Sequence, residues 1–214
     1  MPFPSLRLHP PAGFVSLPLD PDLEHRRLGA RELAEQMSRA AGLSVEELTE
    51  AVLAVGERVG AVNVRLLGSY AVASSGGGDP ATAAMALAVQ ELRASKPELI
   101  AEDRSYVTSA LRELVQRRSP DAASRVVQLP CGPAVAAVLF GEFRIPPDRS
   151  GRDAEVTVPV HRAQFLIPVP TGRHLVVLEV NTGSELAWPA VAEQAVATAR
   201  SIRFQDVSSL SEAS

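Results

Sequence analysis

The chain has 214 residues, 46% of them apolar and 21% charged, with a net charge of −4. That is ordinary globular composition, enough for one good-sized domain that needs no disulfide or metal staple. The acidic balance and an aromatic content of only 4% speak against nucleic acid or an anionic membrane surface as a partner.

No run reaches the ~18 apolar residues of a membrane span. The opening MPFPSLRLHPPAGF lacks a basic start, an apolar run and a small-residue cleavage site, so no export signal is read there. A single cysteine, Cys131, makes no internal disulfide and fits a reducing compartment, so a cytoplasmic location is expected. Basic residues are 20 Arg against one Lys, with 32 Ala. This is the skew of a GC-rich genome, and it lowers the weight of any single arginine.

Pro4, Pro10, Pro11 and Pro18 break the first segment into short extended pieces. Asp20 is placed to cap a helix starting at Pro21, with Leu23, Leu28, Leu33 and Met37 on one side, Gly29 as a weak point and Gly42 as the end. Ser44 and Glu47 then form a capping box, with Leu43 and Leu48 as a hydrophobic staple. Val45, Leu48, Val52, Val55, Val59, Val62 and Leu66 follow at steps of three and four, which predicts a helix over 44–67 ending at Gly68. The stripe is read as core, with a coiled-coil seam between two copies as the alternative.

After Gly68 the period becomes two. Strands are expected over 69–74 and 82–92, joined by a hairpin loop at Gly76, Gly77 and Gly78. Ala84, Ala86 and Ala88 give the second strand a small-residue face, which predicts cover on both sides. Lys96-Pro97 breaks the chain, and Asp103 caps a helix over 104–118. Strands follow at 126–129, 134–145 and 156–169, with a turn at Pro130–Pro133 and a polar loop over 146–154. The apolar parity changes between Val156, Val158, Val160 and Ala163, Phe165, Ile167, which predicts a β-bulge near His161. Leu175–Val180 reads as a central strand, Trp188–Arg200 as the last helix and Ile202–Phe204 as a closing strand. The expected organisation is one domain over 1–204 and a disordered tail over 205–214.

Chemistry is sparse. His9, His25, His161 and His174 show no metal-ligand spacing, and counting from the turn at 170–173 sets His174 opposite about Val169, away from His161. Cys131 sits in a proline turn, with neither a helix N-terminus nor an imidazole to activate it. The glycines at 76–78 lack the lysine and the following helix of a phosphate loop. Arg112, Arg117, Arg118 and Arg125 read as a basic helix end. Glu46 and Glu47, like Asp148 and Asp153, fall on a cap or an exposed loop. No catalytic residue, metal site or cofactor is expected.

The run VPVPTGRHLVVLEVNTGSELAWPAVAEQAVATARSIRF resembles the end of PsbP-like domains, and PSLRLHPPAGFVSLPLD, with its turn at Pro11, Gly13 and Phe14, resembles their opening. The resemblance covers about 55 residues, and its matched positions are determinants of fold. It implies an α+β fold, a mostly antiparallel twisted sheet flanked by helices, as in the PsbP, LpqN and DcrB relatives, and an actinobacterial source. It also implies non-catalytic work on an unidentified protein partner, as an adaptor or chaperone-like domain. The helices over 21–41 and 44–67 are additions to that layout.

The alternative is a small-molecule binder or enzyme with a pocket between sheet and helices, where Trp188, Tyr70 and His161 supply polar handles. Self-association through Val52 and Val55 is a third reading.

Overall fold

The computed structural model describes residues 5–20, 22–41, 44–60, 63–73, 80–92, 104–147 and 153–205. In chain order these form β1 (Ser5–Arg7), β2 (Val15–Ser16), α1 (Leu23–Ala41), α2 (Val45–Gly60), β3 (Val64–Val72), β4 (Ala81–Glu91) and α3 (Arg104–Arg118). The second half adds β5 (Ala123–Leu129), β6 (Gly132–Ile145), β7 (Val156–Pro168), β8 (His174–Thr182), α4 (Trp188–Ser201) and β9 (Arg203–Gln205). The fold is α+β: a seven-stranded antiparallel sheet of order β2-β3-β4-β8-β7-β6-β5, flanked by four helices. The expected central strand, β8, is the fourth of the seven.

The sheet has two differently dressed faces. Cross-strand partners share a face, so Leu87, Leu178, Phe165 and Ala136 form one continuous row through the register. That face packs against Val191, Ala195 and Ala199 of α4 and the fully buried Ile202. The opposite face meets α3, whose Val107, Leu111 and Val115 pack with Val135, Ala137, Leu166 and Leu175.

Several expectations need correction. The helix predicted over 44–67 stops at Gly60, and 64–72 is strand. Leu66 fits a helical step from Val59, but it also fits a period of two, and Asn63 turns the chain with φ 57°. Gly68 is therefore inside β3, not at a helix end. A side chain there would overlap the Phe14 ring and the Val15 carbonyl, so glycine is what lets β2 lie beside β3. Helix α2 packs chiefly on α1 and meets the sheet at β3. The N-cap of α1 is Asp22, whose Oδ1 accepts from the Glu24 and His25 amides at 2.8 and 3.0 Å. Asp20 instead accepts from the Asp22 amide. The weak point at Gly29 does not interrupt α1; it is where Pro18 comes within 3.0 Å of a Cβ position.

The alanine face of β4 is half-buried, not covered on both sides. Nor does β7 carry a bulge: its register with β6 runs unbroken from Val135↔Leu166 to Ile145↔Val156. The parity changes because β8 ends at Thr182, opposite His161. Beyond that point β6 and β7 continue as a two-stranded arm, and the α4-facing side no longer has a core to join.

The closing strand β9 pairs with β1 in a separate two-stranded ribbon, with Leu6 opposite Phe204, instead of joining the main sheet. The capping box at Ser44 and Glu47 forms as expected, with bonds of 2.8–3.2 Å. Gln205, expected in the tail, belongs to β9. The expectations at Pro21, Gly42, Leu43, Val62, the glycines at 76–78, Lys96-Pro97, Asp103, Asp148 and 206–214 fall outside the described residues.

Candidate functional site

Helix α4 carries two stripes. Val191, Ala195 and Ala199 face the core. Ala192, Val196 and Arg200 lie on an i+4 row that runs back to Trp188 and face sideways, along the sheet toward β5. Because α4 sits over the middle of the sheet, it leaves the β5–β6 side of that face open. The result is a groove of about 600 Å³ with a floor of Ala136, Val138, Ala163 and Phe165. One wall is α4, and the other is β5. Small floor residues set its depth: three of the four are Ala or Val. The i+4 row from Trp188 to Arg200 is about 18 Å long at 1.5 Å per residue.

β5 is the last strand of the sheet, and among the described residues nothing pairs with its outer edge. A seven-residue unpaired edge beside an apolar groove presents both backbone donors and acceptors and a place for side chains.

The two ends of the α4 row differ. At its start, Phe140, His161 and Trp188 form an aromatic triad with ring centroids 5.3, 5.8 and 5.9 Å apart. Register explains the meeting: Phe140 is paired with His161 on the sheet face that α4 covers. Phe140 is 64% exposed, an unusual state for a large ring within an aromatic cluster. His161 Nδ1 is buried and has no hydrogen-bond partner among the described residues. Along the groove lie Arg125, in the middle of β5, and Arg200, in the last turn of α4.

Of the expected handles, Trp188 and His161 come together. Tyr70 lies elsewhere, on β3 against Phe14 at 6.5 Å, with its hydroxyl buried and its pKa pushed up to about 12 by desolvation. Arg125 does not belong to the basic end of α3. Its partner in register is Ala136, so it emerges on the opposite face from α3. His174 pairs at Val169, as the turn predicted, through an amide bond of 2.9 Å, far along β8 from the position opposite His161.

Cys131 is half-buried. Burial pushes its thiol pKa up, and the charges of Arg104 and Arg203 act in the other direction. The net direction is away from a reactive thiolate. Among the described residues no three His, Cys, Asp or Glu side chains converge as a metal site. No helix among them is long and apolar enough to cross a membrane.

Sequence reasoning allowed a pocket between sheet and helices but named none of the residues that line this groove. Its signal was the second α4 stripe, which a helix covering only one core does not require. Comparison of the chain with protein-family models, curated proteins and solved structures gave no match.

Proposed function

We propose that this chain is a non-catalytic protein-binding module, adaptor or chaperone-like, that takes an extended segment of its partner along β5 and into the adjoining groove. The observation that carries the reading is the open seven-residue edge of β5 lying directly beside an apolar groove. Strand addition supplies backbone hydrogen bonds, and alternate side chains of the added strand enter the groove. The groups that desolvation shifts, Tyr70, Arg104 and Cys131, lie outside it, so no set of tuned acid and base groups recommends catalysis there.

A PsbP-like ancestry belongs to the same proposal. The turn at Pro11–Phe14, the passage from β8 through Trp188 into α4 and the antiparallel sheet support it. A cytoplasmic place of work is also part of the proposal, on the grounds of one unpaired cysteine. The second reading, a small-molecule binder, draws support from the groove volume, which falls within the ~300–1,000 Å³ of ligand pockets. Its opening along a free strand edge favours the first.

A photo-cross-linking residue at Val196, in the groove wall, tests the reading against one at Glu113, on an exposed part of α3. Irradiation in the host is expected to give a discrete protein adduct from position 196 and none from 113. Equal labelling from both positions, or none from 196, would overturn it.

A further inference from the structure

Among the described residues, the only charged side chains lining the groove are Arg125 and Arg200. Neither takes part in an ion pair among the described residues, and no carboxylate among those residues lines the groove with them. The chain as a whole carries a net charge of −4, so a groove with cations alone is a local feature, opposite in sign to the molecule. The floor is apolar, and Arg125 stands in the middle of the strand that a partner segment would join. On the reading that β5 accepts a strand, we infer that the occupant is an extended peptide with apolar residues at alternate positions and a carboxylate side chain opposite Arg125.

Register gives the spacing. The groove-facing positions of β5 are Ala123, Arg125, Val127 and Leu129. An antiparallel heptapeptide places its positions one, three, five and seven opposite Leu129, Val127, Arg125 and Ala123. The acidic residue therefore belongs at position five, with apolar residues at one, three and seven. Arg200, on the facing wall, adds a second guanidinium to the same field. Both arginines are exposed, so they act in selecting the charge of the partner more than in raw affinity.

The probes are acetylated, amide-capped heptapeptides with leucine at one, three and seven, threonine at two, four and six, and glutamate, serine or lysine at five. Trp188 is the only tryptophan in the chain and begins the α4 row, so its fluorescence reads binding. The glutamate peptide is expected to bind about tenfold more tightly than the lysine peptide at low salt, with serine between and the gap narrowing as salt rises. Arg125→Glu with Arg200→Glu should reverse the order, and Arg125→Gln with Arg200→Gln should flatten it; thermal melts confirm that each variant is folded. Equal binding of all three peptides would overturn the carboxylate preference and leave strand addition standing. If no peptide binds while the Val196 cross-link still forms, the peptide pattern is wrong but the groove reading survives. Binding of dodecanoate with arginine dependence, no peptide binding and no cross-link would overturn both in favour of a small amphiphile.

Discussion

Arg104 begins α3 and donates from Nη2 to two backbone carbonyls, Cys131 at 2.9 Å and Pro168 at 2.6 Å. One guanidinium thus ties the start of a helix to the β5–β6 turn and to the end of β7, the strands that frame the groove. Gly132 makes the arrangement possible. It sits at φ 125°, and a Cβ there would overlap the guanidinium. Desolvation lowers the Arg104 pKa, so burial opposes the charge while the hydrogen bonds hold it in place.

Arg104→Ala removes two bonds from a charged donor. Charged hydrogen bonds contribute about 1.5–3 kcal/mol each, and half-burial reduces that, so the expected loss is about 2–4 kcal/mol. For a chain of this size that corresponds to a fall in Tm of roughly 5–15 °C. Gly132→Ala displaces the same guanidinium and adds a strained backbone costing about 1–3 kcal/mol. Because the two substitutions destroy one set of contacts, the double variant should cost about 1–2 kcal/mol less than their sum. Arg104→Lys, which keeps a charge but not the fork, should recover only part of the loss. Urea denaturation of the four variants and the parent measures this. Additivity within about 0.5 kcal/mol, or a near-neutral Arg104→Ala, would refute the coupling.

Three further outcomes rest on other contacts of the fold. Tyr70→Phe should leave stability unchanged or raise it by up to about 1 kcal/mol, since it removes a buried hydroxyl without a partner. With the Tyr70 pKa raised from 10.0 to about 12, its neutral form favours the fold; that contribution is whole below pH 10 and is lost as the pH climbs toward 12, which alkaline melts of parent and variant should show. The Ser44 hydrogen bonds lower the Glu47 pKa, so the capping box supports α2 above pH 4.5 and loses that support as the pH falls through the lowered value; Ser44→Ala should move the Glu47 carbon-13 titration upward. Val52 is buried and Val55 is 45% exposed, so Val52→Asp should cost several kcal/mol while Val55→Asp changes stability by no more than about 0.5 kcal/mol. A sedimentation mass that drops in Val55→Asp alone would restore self-association through that stripe.

Much of the sheet was legible because its signals were redundant. Leu175–Val180 is apolar at every position but Glu179, and that density marks a strand in the middle of the sheet. Arg104–Arg118 shows a helical stripe and a proline just past its end, and its bounds match the expectation residue for residue. The segment around Val59–Leu66 was ambiguous because its apolar spacing satisfies both periods, and only the turn at Asn63 separates them. The parity change in β7 was real, yet its cause was nonlocal: the neighbouring strand stops at Thr182. The groove was hardest of all. It arises from where α4 sits over the sheet, and Arg125 reveals its side only through register with Ala136.

The central claim is that a protein partner occupies the groove beside β5, and purification from the host with paired variants tests it most directly. Ala192→Trp fills the groove from the α4 wall, whereas Ala197→Trp places the same ring on an exposed part of the helix. The account predicts one stoichiometric partner with the parent and with Ala197→Trp, absent with Ala192→Trp although that variant is folded. The same partner at the same stoichiometry on all three, or none on any, would contradict it.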